Sequence, residues 1–255
     1  ATRSIQASER TDYFWRSYGT AGIGSIESND SAGFPIRNWQ WESWADPKAA
    51  MALDGPFMDM ASFVKKQACP NCVLHCLYPV EITSEDDLMN GEYTDMPDWE
   101  AMGMVGGDLG YVEMAGTTPS DPYTGDHLNM AEALAKNQFT TFLHDKYGLD
   151  FIEGGALLAL LMELRQRGLI EPADLDGIDM QWGDIHAVDA IMKKIVAREG
   201  VGDALAKGTW EAAKYLSEKT GKPEIMEYAM TGHRYAQPAH GVRSNQDQNA
   251  LDYVT

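Results

Sequence analysis

A mainly α-helical fold, with long irregular loops around a cysteine segment, is predicted for this 255-residue sequence by three observations. Apolar residues recur with a helical period through the second half. Capping signals divide that half into successive helices. The first half is interrupted by Gly, Pro and acidic residues and holds almost no period. The chain divides accordingly into an entry segment (1–66), a cysteine segment with an acidic loop (67–125) and a helical domain (126–255).

From residue 18 to 44 the text YGTAGIGSIESNDSAGFPIRNWQWESW reads as extended loop. Its tryptophans, Trp39, Trp41 and Trp44, either anchor that loop to a core or line a substrate funnel. A helix is expected over 47–66, broken near Gly55 and Pro56, and it delivers the chain to CPNCVLHCLYPVEI. There Tyr78, Val80 and Ile82 alternate as in a short strand, and Pro79 confines that strand to a sheet edge. Residues 83–125, acidic and glycine-rich, are expected to be mostly surface loop of a length usually kept for function.

From Asp126 the pattern turns helical. Leu128, Ala131, Leu134, Ala135, Phe139, Phe142 and Leu143 share one face. Gly148 suits a left-handed helix stop, Leu149 the hydrophobic contact after it, and Asp150 with Glu153 a capping-box-like restart. The next helix, FIEGGALLALLMELRQR, is apolar nearly all round and so predicts a buried core helix ending at Gly168. Further helices are signalled from Asp184 to Glu199 and from Asp203 to Lys219, followed by a short helical piece, EIMEYAM. The tail after it shows little regular period, and no internal repeat is present.

The formal charge of -19, from 39 acidic and 20 basic residues, repels phosphate backbones and anionic lipid. Neither nucleic acid nor membrane is therefore an expected partner. No apolar run approaches the roughly 18 residues of a membrane span, and the first residues lack a signal-peptide core. The expectation is a soluble, cytoplasmic protein.

The three cysteines, Cys69, Cys72 and Cys76, form CxxCxxxC. An odd number packed this closely makes a poor disulfide framework and a good ligand set. Thiolates at these spacings wrap one face of an iron–sulfur cluster. A structural zinc knot is the alternative, with His75 as the one nearby fourth ligand. The DKYGLD corner, Asp145 to Asp150, is by itself ordinary helix–helix punctuation. His127, His144 and His186 read as satisfied surface or core residues on helices.

Taken in order, YGTAG, PIRNWQ, ACPNC…C, KYGLD, GLI (168–170), WGD, REGVGDALAKG, YAM and ALDYVT resemble the aldehyde ferredoxin oxidoreductase family along nearly the whole chain. The resemblance implies that Cys69, Cys72 and Cys76 supply three of four ligands to a [4Fe-4S] cluster. It also implies that Asp145, Gly148, Leu149 and Asp150 contact one pterin of a tungsten (or molybdenum) bis-pterin. Carboxylates at a helix corner match the N–H donors of that ring. Glu100, in MPDWEAMG with Asp98 nearby, falls where the family places an acidic residue near the metal, although Trp99 replaces a tyrosine there. A raised pKa would let Glu100 move a proton during carbonyl oxidation. His233 and His240 lie in the tail that the resemblance brings toward the cofactor.

The implied activity is oxidation of an aldehyde to a carboxylate, or the reverse, with electrons leaving through the cluster to ferredoxin or an iron–sulfur subunit. The implied enzyme is longer than this chain, which corresponds to its middle portion. It has further domains that complete the site and supply the fourth cluster ligand. A benzoyl-CoA reductase-type tungsten subunit is the runner-up, although no spare cysteine is present to ligate tungsten. From another class, a zinc-stabilised helical scaffold needs neither pterin nor tungsten.

Overall fold

Burial of one leucine-rich helix organises the described residues, which in the computed structural model are 35–42, 53, 57, 60–61, 65, 67, 70–71, 78–96, 109–111 and 130–237. That helix, α2 (Phe151–Gln166), buries every side chain from Leu157 to Leu164. Packed around it are α1 (Met130–Tyr147), α3 (Ile185–Ala197), α4 (Gly202–Leu205) and α5 (Thr209–Thr220). α1 and α5 pack directly on α2; α3 joins α1 to α4, and α4 leans on α5. Each fully buried leucine contributes roughly 1.5–3 kcal/mol. The mainly α fold expected from the sequence is the fold observed.

α1 buries more than its apolar stripe. Leu134, Ala135, Phe139 and Leu143 enter the core as the period predicts, but Asn137, Gln138, Thr140, Thr141 and His144 are buried as well. Tyr111 meets Thr140 Oγ1 at 2.6 Å. Because Thr140 donates to the Lys136 carbonyl, the tyrosine hydroxyl is the donor in that contact.

The cysteine-proximal strand forms as β1 (Tyr78–Glu81), and its partner is β2 (Tyr93–Met96), antiparallel with Val80 opposite Thr94. In a two-stranded sheet Pro79 stands on an edge, where its missing N–H costs nothing. Within the segment 83–125, expected to be mostly loop, Tyr93–Met96 forms a strand that pairs with β1 and packs against α1; residues 97–108 and 112–125 lie outside the described residues. A second hairpin, β3 (Thr231–Gly232) with β4 (Tyr235–Ala236), arises in the tail.

The helix expected over 203–219 is two helices. Between them Gly208 adopts φ 95°, ψ 170°, a conformation open essentially to glycine alone. α3 stops at Ala197, on a left-handed Arg198, short of the expected Glu199. EIMEYAM lies largely in a 3-10 helix, Pro223–Tyr228, and a second such turn spans Pro172–Leu175.

The PIRNWQ loop clasps the far end of α2. Arg37, Asn38 and Trp39 are consecutive left-handed residues, and Ile36 bridges to Trp41 across them. Asn38 donates to the buried Glu163 at 2.5 Å and to the Tyr228 carbonyl at 2.9 Å. Glu163 also accepts from Arg167 at 2.7 Å, so its buried charge is paired. Among the described residues no helix is long and apolar enough to cross a membrane.

Candidate functional site

The α1–α2 corner is built by a Schellman stop followed at once by a capped start. The N–H of Leu149 reaches the His144 carbonyl at 3.0 Å, and that of Gly148 reaches Asp145 at 3.2 Å. Gly148 takes φ 65°, which a side chain would resist. One residue later Asp150 accepts the Glu153 N–H at 2.7 Å and opens α2. Asp145, Gly148, Leu149 and Asp150 are thereby brought together as the sequence predicts. Asp145 and Asp150 are exposed on either side of the turn, and Asp145 accepts from Thr94 of β2 at 2.6 Å.

Glu153 departs from the expected capping box. Its carboxylate does not turn back to Asp150. Oε1 accepts the Thr209 N–H, and Oε2 accepts the Ala236 N–H at 2.7 Å. α5 begins at a glycine with no capping side chain, so Glu153 supplies the cap from another helix and sets its charge at a helix N-terminus. A Cβ on Gly208 would lie 2.9 Å from that carboxylate, in a backbone conformation that L side chains rarely adopt. Tyr235, next in chain to Ala236, stands near Asp150 and Glu153. Burial, with Asp150 and then Glu153 nearby, pushes its phenol up to about 12.

Behind the corner lies a cavity of about 190 Å³. Leu149, Leu157, Met192, Ile195 and Leu205 make its walls apolar, and His144, Asp150 and Glu153 bring its polar atoms. His144 is 1 % exposed. Its Nδ1 lies 2.7 Å from the Thr140 carbonyl, an acceptor, so Nδ1 carries the proton and Nε2 is a lone-pair acceptor. Nε2 is buried with no hydrogen-bond partner. Burial pushes the imidazole down to about 4, keeping it neutral. Gly154 makes room for the ring, since a Cβ there would overlap Nε2. The burial of His144 in the cavity wall and the Glu153–Ala236 contact are features that sequence reasoning missed. Local spacing carries no signal for contacts 83 residues apart.

Cys69, Cys72, Cys76 and Glu100 lie outside the described residues, as do Trp44, His127 and His240. His186 is a surface residue paired with Asp86 at 2.7 Å. Trp39 and Trp41 are half-buried in the loop that Asn38 ties to α2. Among the described residues no three metal-ligating side chains converge. The corner offers acceptors: an aspartate carboxylate has about four lone-pair positions, and Asp150 uses one of them on the Glu153 N–H. Such an array suits the N–H edge of a planar heterocycle.

Residues 1–255 match the family model described as aldehyde ferredoxin oxidoreductase, domains 2 and 3. The chain is 30% identical over 234 residues to an aliphatic sulfonate oxidoreductase, WOR-like subunit, of Pyrococcus furiosus, covering 91% of this chain and 33% of that protein. It is 27% identical over 239 residues to the tungsten-containing aldehyde ferredoxin oxidoreductase of the same organism, covering 93% and 33%. The chain thus spans about a third of the length of these relatives. In fold it is similar to a chain of the active-site complex BamBC of benzoyl coenzyme A reductase, solved with 1,5-dienoyl-CoA. The TM-score is 0.56 at 16% identity, over 84% of this chain and 27% of that one.

Proposed function

The chain belongs to the aldehyde ferredoxin oxidoreductase family, and on that premise we propose that it is the helical portion of a tungsten- or molybdenum-pterin oxidoreductase interconverting aldehydes and carboxylates. The acceptor-lined corner carries this reading. Asp145 and Asp150 flank a rigid turn beside an apolar cavity, where the N–H edge of a pterin finds charged acceptors. Apolar walls for the ring faces and carboxylates for the N–H edge mean that the residues present fit the group.

When bound, the metal–pterin group supplies the two-electron chemistry of carbonyl oxidation. The chain's own residues bind and orient. Asp145 and Asp150 accept from the ring edge, while Glu153 holds the start of α2 against α5 and β4. Leu149, Leu157 and Met192 keep the cavity dry, which strengthens each of these contacts. In this reading Cys69, Cys72 and Cys76 hold a [4Fe-4S] cluster whose fourth ligand lies elsewhere in the enzyme. Glu100 holds or moves a proton at the substrate oxygen. Ferredoxin or an iron–sulfur subunit takes the electrons in the cytoplasm. The 30% identity to the sulfonate oxidoreductase subunit favours a second reading, in which the substrate is an aliphatic compound bearing a sulfonate.

Plasma mass spectrometry on the full-length protein, purified anaerobically, tests the proposal by counting iron, tungsten, molybdenum and zinc per chain. Several irons with one tungsten or molybdenum are expected. Zinc without either would overturn the reading in favour of a structural scaffold.

A further inference from the structure

We propose that the tip of the β3–β4 hairpin, His233 and Arg234, is an oxyanion-binding element beside the Asp150 corner, taking a carboxylate, sulfonate or phosphate group of a ligand held there. This deepens the proposed function and rests on the corner being the ligand site.

The turn itself is the first observation. Gly232 pairs with Tyr235, leaving His233 and Arg234 as a two-residue loop with φ 51° and 68°. Loops of this kind favour Asn-Gly, because each position needs a left-handed backbone. Two bulky L-residues accept steric strain there, and strain held at both positions marks a place where the side chains matter more than the turn.

Charge is the second. Against a formal charge of -19, the other arginines of the helical domain among the described residues are occupied: Arg165 by Asp179, Arg167 by Glu163 and Arg198 by Asp203. Arg234 is exposed and makes no ion pair among the described residues, and His233 is exposed beside it. An unpaired guanidinium presents a planar fork that matches an oxyanion, and the adjacent imidazole adds an N–H donor.

Position is the third. Ala236 is fixed to Glu153 at 2.7 Å, and Gln237 closes onto the Met230 carbonyl at 3.0 Å. The strand carrying Arg234 is thus bonded to the first turn of α2. A ligand whose N–H edge meets Asp150 can direct an anionic group toward the tip. Attraction at Arg234 and hydrogen bonding at the carboxylates then select the same molecule from two sides.

The test compares wild-type full-length protein with Arg234→Gly and Arg234→Lys. Glycine adopts this turn without strain, so Arg234→Gly should keep or raise the thermal midpoint, and a folding defect does not confound it. Inorganic sulfate is the probe. Sulfate should raise the midpoint of the wild type, and of Arg234→Lys in part, but not of Arg234→Gly. Two further readings assign the source. If the anion belongs to substrate, Arg234→Gly raises KM about tenfold for an aldehyde bearing a carboxylate or sulfonate, sparing a neutral one of equal length. If it is the cofactor's phosphate, pterin and tungsten per chain fall instead. An equal sulfate response in wild type and Arg234→Gly, with KM and pterin content both unchanged by the substitution, overturns the proposal. A wild type devoid of tungsten, molybdenum and pterin would overturn the proposed function separately, because the sulfate response needs none of them.

Discussion

Glu153 accepts the backbone N–H of Ala236 at 2.7 Å, joining the first turn of α2 to a strand 83 residues further along the chain. Its other oxygen caps α5 through Thr209, so one carboxylate fixes three elements around the corner. Replacing Glu153 by Ala leaves two backbone donors without their acceptor. With charge-assisted bonds each worth about 1.5–3 kcal/mol, the loss of stability should be about 3 kcal/mol in urea unfolding. Amide exchange at Ala236 and Thr209 should accelerate while that of Leu160 does not. Unchanged exchange at both amides would mean that the hairpin is held by other contacts.

His144 and Gly154 form a matched pair, because the imidazole occupies the space a side chain at 154 would take. Gly154→Ala should therefore destabilise by about 2 kcal/mol, as overpacking does. His144→Ala removes the obstacle as well as the ring. The double variant should be more stable than the sum of the two single losses predicts, with a coupling of about 1 kcal/mol or more in a double-mutant cycle. Strict additivity would show that the two residues do not share the space.

The corner was legible in the sequence, and its surroundings were not. Gly148 and Asp150 act through bonds to residues within five positions, so local spacing reveals both the stop and the start. Glu153 satisfies the same local pattern yet bonds to Thr209 and Ala236, because tertiary neighbours outbid the local capping box. The break at Gly208 and the pairing of β2 have the same origin. Gly208 interrupts a helical period because Glu153 needs its backbone conformation, and Tyr93–Met96 becomes a strand because β1 lies beside it. His144 reads as an ordinary helical histidine until burial removes every partner from Nε2.

Burial of His144 ties stability to pH with a definite sign. The folded protein holds the imidazole at about 4, below the 6.5 of an unconstrained histidine, so the unfolded chain binds the proton more readily. The stability this residue permits is complete above pH 6.5 and is lost progressively as pH falls from 6.5 through 4. The loss should approach roughly 3 kcal/mol. His144→Gln lacks this titration, so its unfolding free energy should fall less over that window than that of the wild type. An imidazole titrating near 6.5 by NMR in the folded protein would contradict the burial.

Cluster and pterin sites in the proposed enzyme should fail independently, because the proposed thiolates sit on Cys69, Cys72 and Cys76 while the pterin acceptors sit on Asp145 and Asp150. Cys72→Ser should abolish the paramagnetic signal of the reduced cluster and leave part of the pterin content. Asp145→Ala should do the converse, lowering pterin and tungsten per chain several-fold while iron stays near the wild-type value. The aspartate is a charged acceptor, and the ring edge loses it without a substitute. The same variant frees the Thr94 hydroxyl, but that contact is only partly buried and β2 retains its pairing with β1, so the fold should survive. Circular dichroism separates the two explanations. Low pterin with native helix content assigns Asp145 to the cofactor, whereas wild-type pterin would reduce the DKYGLD corner to helix punctuation.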